Sequence, residues 1–131
     1  MRTLVVEDEL TSRLMMQSVL SSYGECHSAV DGEEALEAFR IAVDSGRPYD
    51  LVCMDVKMPG ISGVEAVRRI RNIEESHGVL STNGAKIVMT TIVEDPHGVV
   101  QSFGALCDEY LVKPIDRGKL LQKLRQMGLI D

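Results

Sequence analysis

Short apolar runs alternate along the chain with longer stretches whose apolar residues recur every three or four positions. Arg2–Val6 is a run of the first kind, a β-type segment. Thr11–Tyr23 is of the second kind, with Ser12, Met15, Met16, Val19 and Leu20 at helical spacing and Gly24 as a C-terminal stop. Cys26–Val30 is a weaker strand. Asp31-Gly32 reads as a turn, and Glu33–Asp44 as a helix through Ala35, Leu36, Phe39 and Val43. Gly46 and Pro48 break the chain before Leu51–Met54, a continuous apolar run of the kind a strand shows when both its faces are covered. Pro59-Gly60 and Gly63 mark a loop, and Val64–Ile73 is helical through Val64, Val67, Ile70 and Ile73. Within it, Arg68-Arg69-Ile70-Arg71 reads as a solvated face with apolar neighbours. Gly78–Ala85 reads as an exposed connection, and Ile87–Thr91 as the fourth strand. Pro96 opens a helix to about Leu106, Glu109–Val112 is a fifth strand, and Asp116 caps a last helix carrying Leu120, Leu121, Leu124 and Met127.

The pattern is five β-then-α units. Such alternation predicts an α/β fold, a doubly wound parallel sheet with helices on both faces and right-handed crossovers. Residues 1–131 are expected to form a single domain with no output domain after the last helix. Composition narrows the class. The chain has 44% hydrophobic and 26% charged residues, as an ordinary globular domain does. Its 14 basic and 20 acidic residues give a net charge of −6, which argues against direct nucleic-acid binding. No apolar run approaches the roughly 20 residues of a membrane span, and the N-terminus turns acidic at Glu7-Asp8 too early for a signal peptide. Three scattered cysteines give no disulfide frame or zinc spacing, so a cytoplasmic setting is expected. His27, His77 and His97 are scattered too, and read as surface or structural residues.

In a doubly wound sheet, ligands bind at the carboxyl ends of the strands, near the switch in strand order. Glu7 and Asp8 follow the first strand and Asp55 ends the third. The fourth ends at Thr90-Thr91 and the fifth at Lys113-Pro114. Three converging carboxylates repel one another, and a hard cation such as Mg²⁺ (or Mn²⁺), which takes oxygen ligands, relieves that repulsion. One carboxylate can then act as a nucleophile toward phosphorus. A Lys ammonium and a Thr hydroxyl add to the charge neutralisation that phosphoryl transfer needs.

These residues resemble a known family. Val6-Glu7-Asp8, Asp31-Gly32-Glu33-Glu34-Ala35-Leu36, Met54-Asp55-Val56-Lys57-Met58-Pro59-Gly60, Met89-Thr90-Thr91 and Tyr110-Leu111-Val112-Lys113-Pro114-Ile115 occur in order, each after an expected strand or opening a helix. Together they are similar to the CheY-like receiver domain of the response regulators of two-component signalling. The resemblance covers essentially the whole chain. It implies a flavodoxin-like (βα)5 fold with strand order 2-1-3-4-5, and a signalling switch that is not an enzyme acting on external substrates.

The resemblance also implies roles. Asp55 would accept a phosphoryl group from the phosphohistidine of a sensor histidine kinase or phosphotransfer protein. Glu7 and Asp8 would hold Mg²⁺, Asp8 more directly, with Asp55 and the backbone carbonyl of Lys57 as further ligands. Lys113 would bind a phosphoryl oxygen, and its bond to Pro114 would be cis. The switch hydroxyl falls to Thr91, which lies 22 residues before Lys113, with Thr90 as the alternative. Tyr110 takes the place of the switch aromatic. The face made by the fourth helix, fifth strand and fifth helix would then meet an unidentified protein target, or a second copy in a homodimer.

Some positions depart from the family pattern. Ile92 is bulky where a small residue usually guards the phosphoryl cleft, and is expected to hinder attacking water or small phosphodonors. Lys57 and Val93 flank the site where the family tunes phosphoryl loss. The Gly78–Ala85 connection is long, and Leu106-Cys107-Asp108-Glu109 lacks the usual glycine. Other classes fare worse. An aspartyl-phosphate hydrolase wants an acid where Lys57 stands, and a flavin or nucleotide carrier would find Glu7-Asp8-Glu9 repelling its phosphate. A phosphate-independent binding module would leave the acidic pair, Thr91 and Lys113 without a task.

Overall fold

The computed structural model describes residues 1–80, 83–92 and 106–131. Five strands form one parallel sheet in the order β2-β1-β3-β4-β5. They are β1 (Thr3–Val6), β2 (Cys26–Ala29), β3 (Leu51–Asp55), β4 (Lys86–Thr91) and β5 (Glu109–Val112). Helices α1 (Leu10–Leu20), α2 (Gly32–Asp44) and α3 (Gly63–Ser76) connect them, and a C-terminal helix covers Arg117–Gln126. The helix expected from Pro96 lies outside the described residues, as do Val93 and His97.

Strand alternation divides the core into two layers. Val5, Leu51, Cys53, Val88 and Leu111 pack with Met16, Val19, Leu20, Leu120, Leu121 and Leu124 of α1 and the C-terminal helix. Leu4, Val6, Val52, Met54, Ile87 and Met89 face the other way, onto Leu36, Phe39, Val67 and Ile70 of α2 and α3. The continuous apolar run of β3 therefore serves both layers. The order reverses between β1 and β3, so the carboxyl ends of these two strands form the crevice.

Each of these four helices starts on a side-chain cap. Glu9, Asp31, Ser62 and Asp116 accept backbone N–H groups of their first turns. Asp31-Gly32 is thus not a free-standing turn: Asp31 is the cap and Gly32 the first residue of α2. Gly63, expected in a loop, is the first residue of α3. It donates to the Val56 carbonyl at 2.9 Å and lies so close to β3 that a Cβ would stand 2.1 Å from the Asp55 carbonyl oxygen.

Two further expectations are corrected. Ala85, at the end of the connection read as exposed, is buried in the core. Arg71 is not on a solvated face. It is buried beside Glu74, and its guanidinium donates to Glu74 at 2.7 Å, to the carbonyls of Ala85 (2.8 Å) and Leu106 (2.9 Å), and to Asp108 at 3.2 Å. A charge so fully paired satisfies the rule that buried ions need partners. It ties α3 to the amino ends of β4 and β5.

Candidate functional site

The crevice between β1 and β3 brings together residues that lie far apart in sequence. Oxygens of Glu7, Asp8 and Asp55 all lie within 4.8 Å of one another. Glu7 and Asp55 are buried and Asp8 is exposed. At such separations and an effective dielectric of about 20, the buried Glu7–Asp55 repulsion costs about 3–4 kcal/mol, while water screens that of exposed Asp8. Lys113 offsets part of this. Its Nζ lies 2.5 Å from Glu7 Oε1 and 3.0 Å from Asp55 Oδ2. Burial works to lower the pKa of this ammonium. The hydrogen bonds and charges of Glu7 and Asp55 outweigh it and hold Lys113 above its ordinary value.

Backbone bonds fix the frame. Asp55 is in register with Thr90 across β3 and β4, and the Val56 N–H donates to the Thr90 carbonyl at 2.9 Å. The Lys57 N–H donates to Asp55 Oδ1 at 3.3 Å, and the Glu9 N–H to Glu7 Oε2 at 3.1 Å. Lys113 N–H donates to the Thr91 carbonyl at 2.7 Å, which couples the end of β5 to the residue chosen from sequence as the switch hydroxyl. Thr90 and Thr91 are both buried. The Lys113-Pro114 bond is cis. Beside the carboxylates, Asp8, Val56, Lys57, Met58, Pro59, Gly60 and Ser62 line a cleft of about 420 Å³. Glu33 of α2 reaches its loop, its carboxylate lying against Gly60, whose φ of 78° suits glycine.

The structure therefore gathers Glu7, Asp8, Asp55 and Lys113 in one place, with Lys57, Thr90 and Thr91 attached through the backbone. Tyr110 is set apart. It pairs with Met89 in the sheet and packs, half-buried, on the α2–α3 side of the core. Ile92 is 66% exposed just beyond β4. Sequence reading missed Arg13. This half-buried residue of α1 donates to the carbonyls of Glu7 and Asp8. Its only sequence signal was a basic residue one helical turn past the Glu9 cap.

The donor set fits a hard dication. All three side chains offer oxygens, the carboxylates outnumber the ammonium that contacts them, and exposed Asp8 leaves room for water.

A parallel 2-1-3-4-5 sheet with three carboxylates, a lysine and a cis Lys-Pro bond at its carboxyl edge defines a CheY-like receiver. The model of the response regulator receiver domain family matches residues 3–125, and the chain belongs to that family, the receiver module of two-component systems. It is 29% identical over 132 residues to the rice protein called probable histidine kinase 2, a match covering 93% of this chain. The chain spans only 12% of that kinase's length. Response regulator TrrA of Thermotoga maritima, solved in complex with Mg(2+)-BeF, is 34% identical with a TM-score of 0.74, over 96% of this chain and 97% of that one. The receiver domain of Saccharomyces cerevisiae Ssk1, solved with the histidine phosphotransfer protein Ypd1, is 26% identical with a TM-score of 0.80, over 98% and 88% of the two chains. Among the described residues no helix is long and apolar enough to cross a membrane.

Proposed function

We propose that this receiver takes a phosphoryl group from the phosphohistidine of a sensor histidine kinase or phosphotransfer protein onto Asp55. The supporting observation is the pairing of one ammonium, Lys113, with both buried carboxylates, Glu7 and Asp55, beside the exposed Asp8. Glu7, Asp8, Asp55 and the Lys57 carbonyl would hold Mg²⁺ or Mn²⁺. The cation, when bound, supplies positive charge against the phosphoryl oxygens. An Asp55 carboxylate oxygen attacks phosphorus as the P–N bond breaks. The departing imidazole nitrogen keeps the electron pair and takes a proton from water. Lys113 exchanges its bond to the Asp55 carboxylate for one to a phosphoryl oxygen.

The response follows from the frame. The Thr91 hydroxyl bonds a second phosphoryl oxygen and draws the end of β4 with it. Tyr110, on the neighbouring strand, repacks, and the face formed by β5, the C-terminal helix and the helix expected before β5 changes its affinity for a protein partner or a second copy. This is a population shift driven by the differential contacts of the phosphoryl group. The proposed role is a switch, with no turnover of external substrates. Ile92, bulky and exposed just after Thr91, favours a protein donor over small phosphodonors.

The test is transfer of label from a phosphorylated phosphotransfer protein. Label should reach the wild-type chain in Mg²⁺, vanish with a chelator and fail to reach D55N. Equal labelling of D55N would refute the assignment.

A further inference from the structure

The acidic loop after β1 is braced from behind. Arg13 Nη1 donates to the Glu7 carbonyl at 3.0 Å and, more weakly, to the Asp8 carbonyl at 3.4 Å. One turn earlier, the Glu9 carboxylate caps α1 by accepting from the N–H groups of Thr11 (3.0 Å) and Ser12 (2.6 Å). The Glu9 N–H in turn donates to the Glu7 carboxylate. The loop is therefore tied to α1 at two levels: Glu9 joins it to the first turn, and Arg13 reaches back to the main chain of the acidic pair.

Lys113 and Arg13 differ in what they hold. Lys113 bonds the carboxylate oxygens themselves, so its bonds compete with an incoming cation or phosphoryl group. Arg13 bonds main-chain oxygens, which do not compete with a ligand of the carboxylates. We propose that Arg13 is a positioning residue for the metal and phosphoryl site, fixing the backbone from which Glu7 and Asp8 project so that their carboxylates are aligned before a cation arrives. The inference rests on the phosphoacceptor reading above. Its physical basis is preorganisation: a carboxylate on a held backbone loses less freedom on binding.

Charge and position predict opposite signs here. Removing a nearby positive charge should tighten binding of a dication by Coulomb's law. Removing the brace should weaken it, by roughly 10-fold or more, the range typical of groups that orient metal ligands. The probe is Mn²⁺, whose free ion is counted by electron paramagnetic resonance, titrated into the wild type, R13A, R13K and D8N. Thermal unfolding without metal is recorded beside each titration. The expected result is Mn²⁺ binding about tenfold weaker in R13A. R13K should recover most of the loss, because a single nitrogen makes both bonds. A purely structural role would lower the unfolding midpoint and leave the Mn²⁺ Kd unchanged.

R13A binding Mn²⁺ as tightly as the wild type, or more tightly, would overturn the proposal. Should R13A not fold, R13Q, a neutral residue that keeps a donor, takes its place. In that variant tighter or unchanged binding overturns the proposal and weaker binding supports it. If the wild type binds Mn²⁺ and D8N does not, but R13A matches the wild type, only the Arg13 inference falls. If the wild type binds no Mn²⁺ and takes no phosphoryl group, the functional reading falls and this inference with it.

Discussion

The two ends of the sheet carry charge clusters of similar composition and opposite character. At the amino end, buried Arg71 and Glu74, with Asp108 and the Lys86 ammonium 4.0 Å from it, make two cations and two carboxylates satisfied by one another and by the backbone. Glu74 accepts the Ala85 N–H at 2.7 Å, and Asp108 the Ile87 N–H at 2.8 Å. At the carboxyl end, three carboxylates gather beside one ammonium that contacts two of them, and the third, Asp8, is exposed. The first cluster pairs its charges internally and holds elements together. The second keeps a surplus of negative charge that a ligand can relieve. Carboxylates next to basic residues are thus not a site in themselves. What makes a site is imbalance, placed where the strand order switches.

Breaking the balanced end should have the largest effect on stability. R71A would leave Glu74 buried without its cation, and uncompensated buried charges of this kind cost about 3–5 kcal/mol. Urea unfolding should show the loss, while Mg²⁺-dependent labelling at Asp55 survives wherever the variant is folded. A loss below about 1 kcal/mol would mean that the buried pair is not a structural tie.

G63A comes next, because it forces a methyl group against the Asp55 carbonyl. Overpacking of this kind costs about 1–3 kcal/mol. It should also slow phosphoryl uptake, since the strain falls on the backbone of the acceptor itself. Unfolding midpoints and labelling rates check the two halves separately.

The imbalanced end should respond with the opposite sign. In metal-free buffer D8N relieves repulsion and raises stability by up to about 1 kcal/mol, the scale of an exposed charge pair. Added Mg²⁺ should stabilise the wild type and leave D8N unmoved. A destabilised metal-free D8N would show that Asp8 is already balanced.

The smallest effect is at Glu9, fully exposed at the start of α1. Its side-chain and backbone hydrogen bonds to Ser12, with that to Thr11, lower its pKa from 4.5 to about 2. A depressed carboxylate contributes stability above its unfolded value and loses it as pH falls through the folded one. E9A should therefore differ from the wild type at neutral pH and converge with it as the pH falls from about 4.5 toward 2. Parallel pH–stability curves would contradict this.

Much of this was legible in the sequence, for local reasons. Leu51–Met54 announced a strand covered on both faces because each layer takes every second residue. Glu7-Asp8, Asp55 and Lys113 stood out because they end apolar runs in a parallel topology. Arg71 and Glu74 did not. Each lies four residues after an apolar position of α3, on the inner stripe with Val67 and Ile70, but the charge of Arg71 read as solvent-facing and Glu74 lay past the expected end of the helix at Ile73. The partners that make burial tolerable, Leu106 and Asp108, are 35 and 37 residues away and leave no mark on local pattern. Arg13 was hidden similarly, because its bonds go to carbonyls that every residue has. Gly63 looked like a loop glycine because its close approach to Asp55 exists only after folding.

The central claim is that Asp55 is the phosphoacceptor. Intact-protein mass after incubation with Mg²⁺ and acetyl phosphate tests it most directly, with D55N beside the wild type and a phosphohistidine protein as a second donor. The account predicts the mass of one phosphoryl group on the wild type, dependent on Mg²⁺ and absent from D55N, with acetyl phosphate the slower donor. No gain from either donor, or an equal gain on D55N, would contradict it.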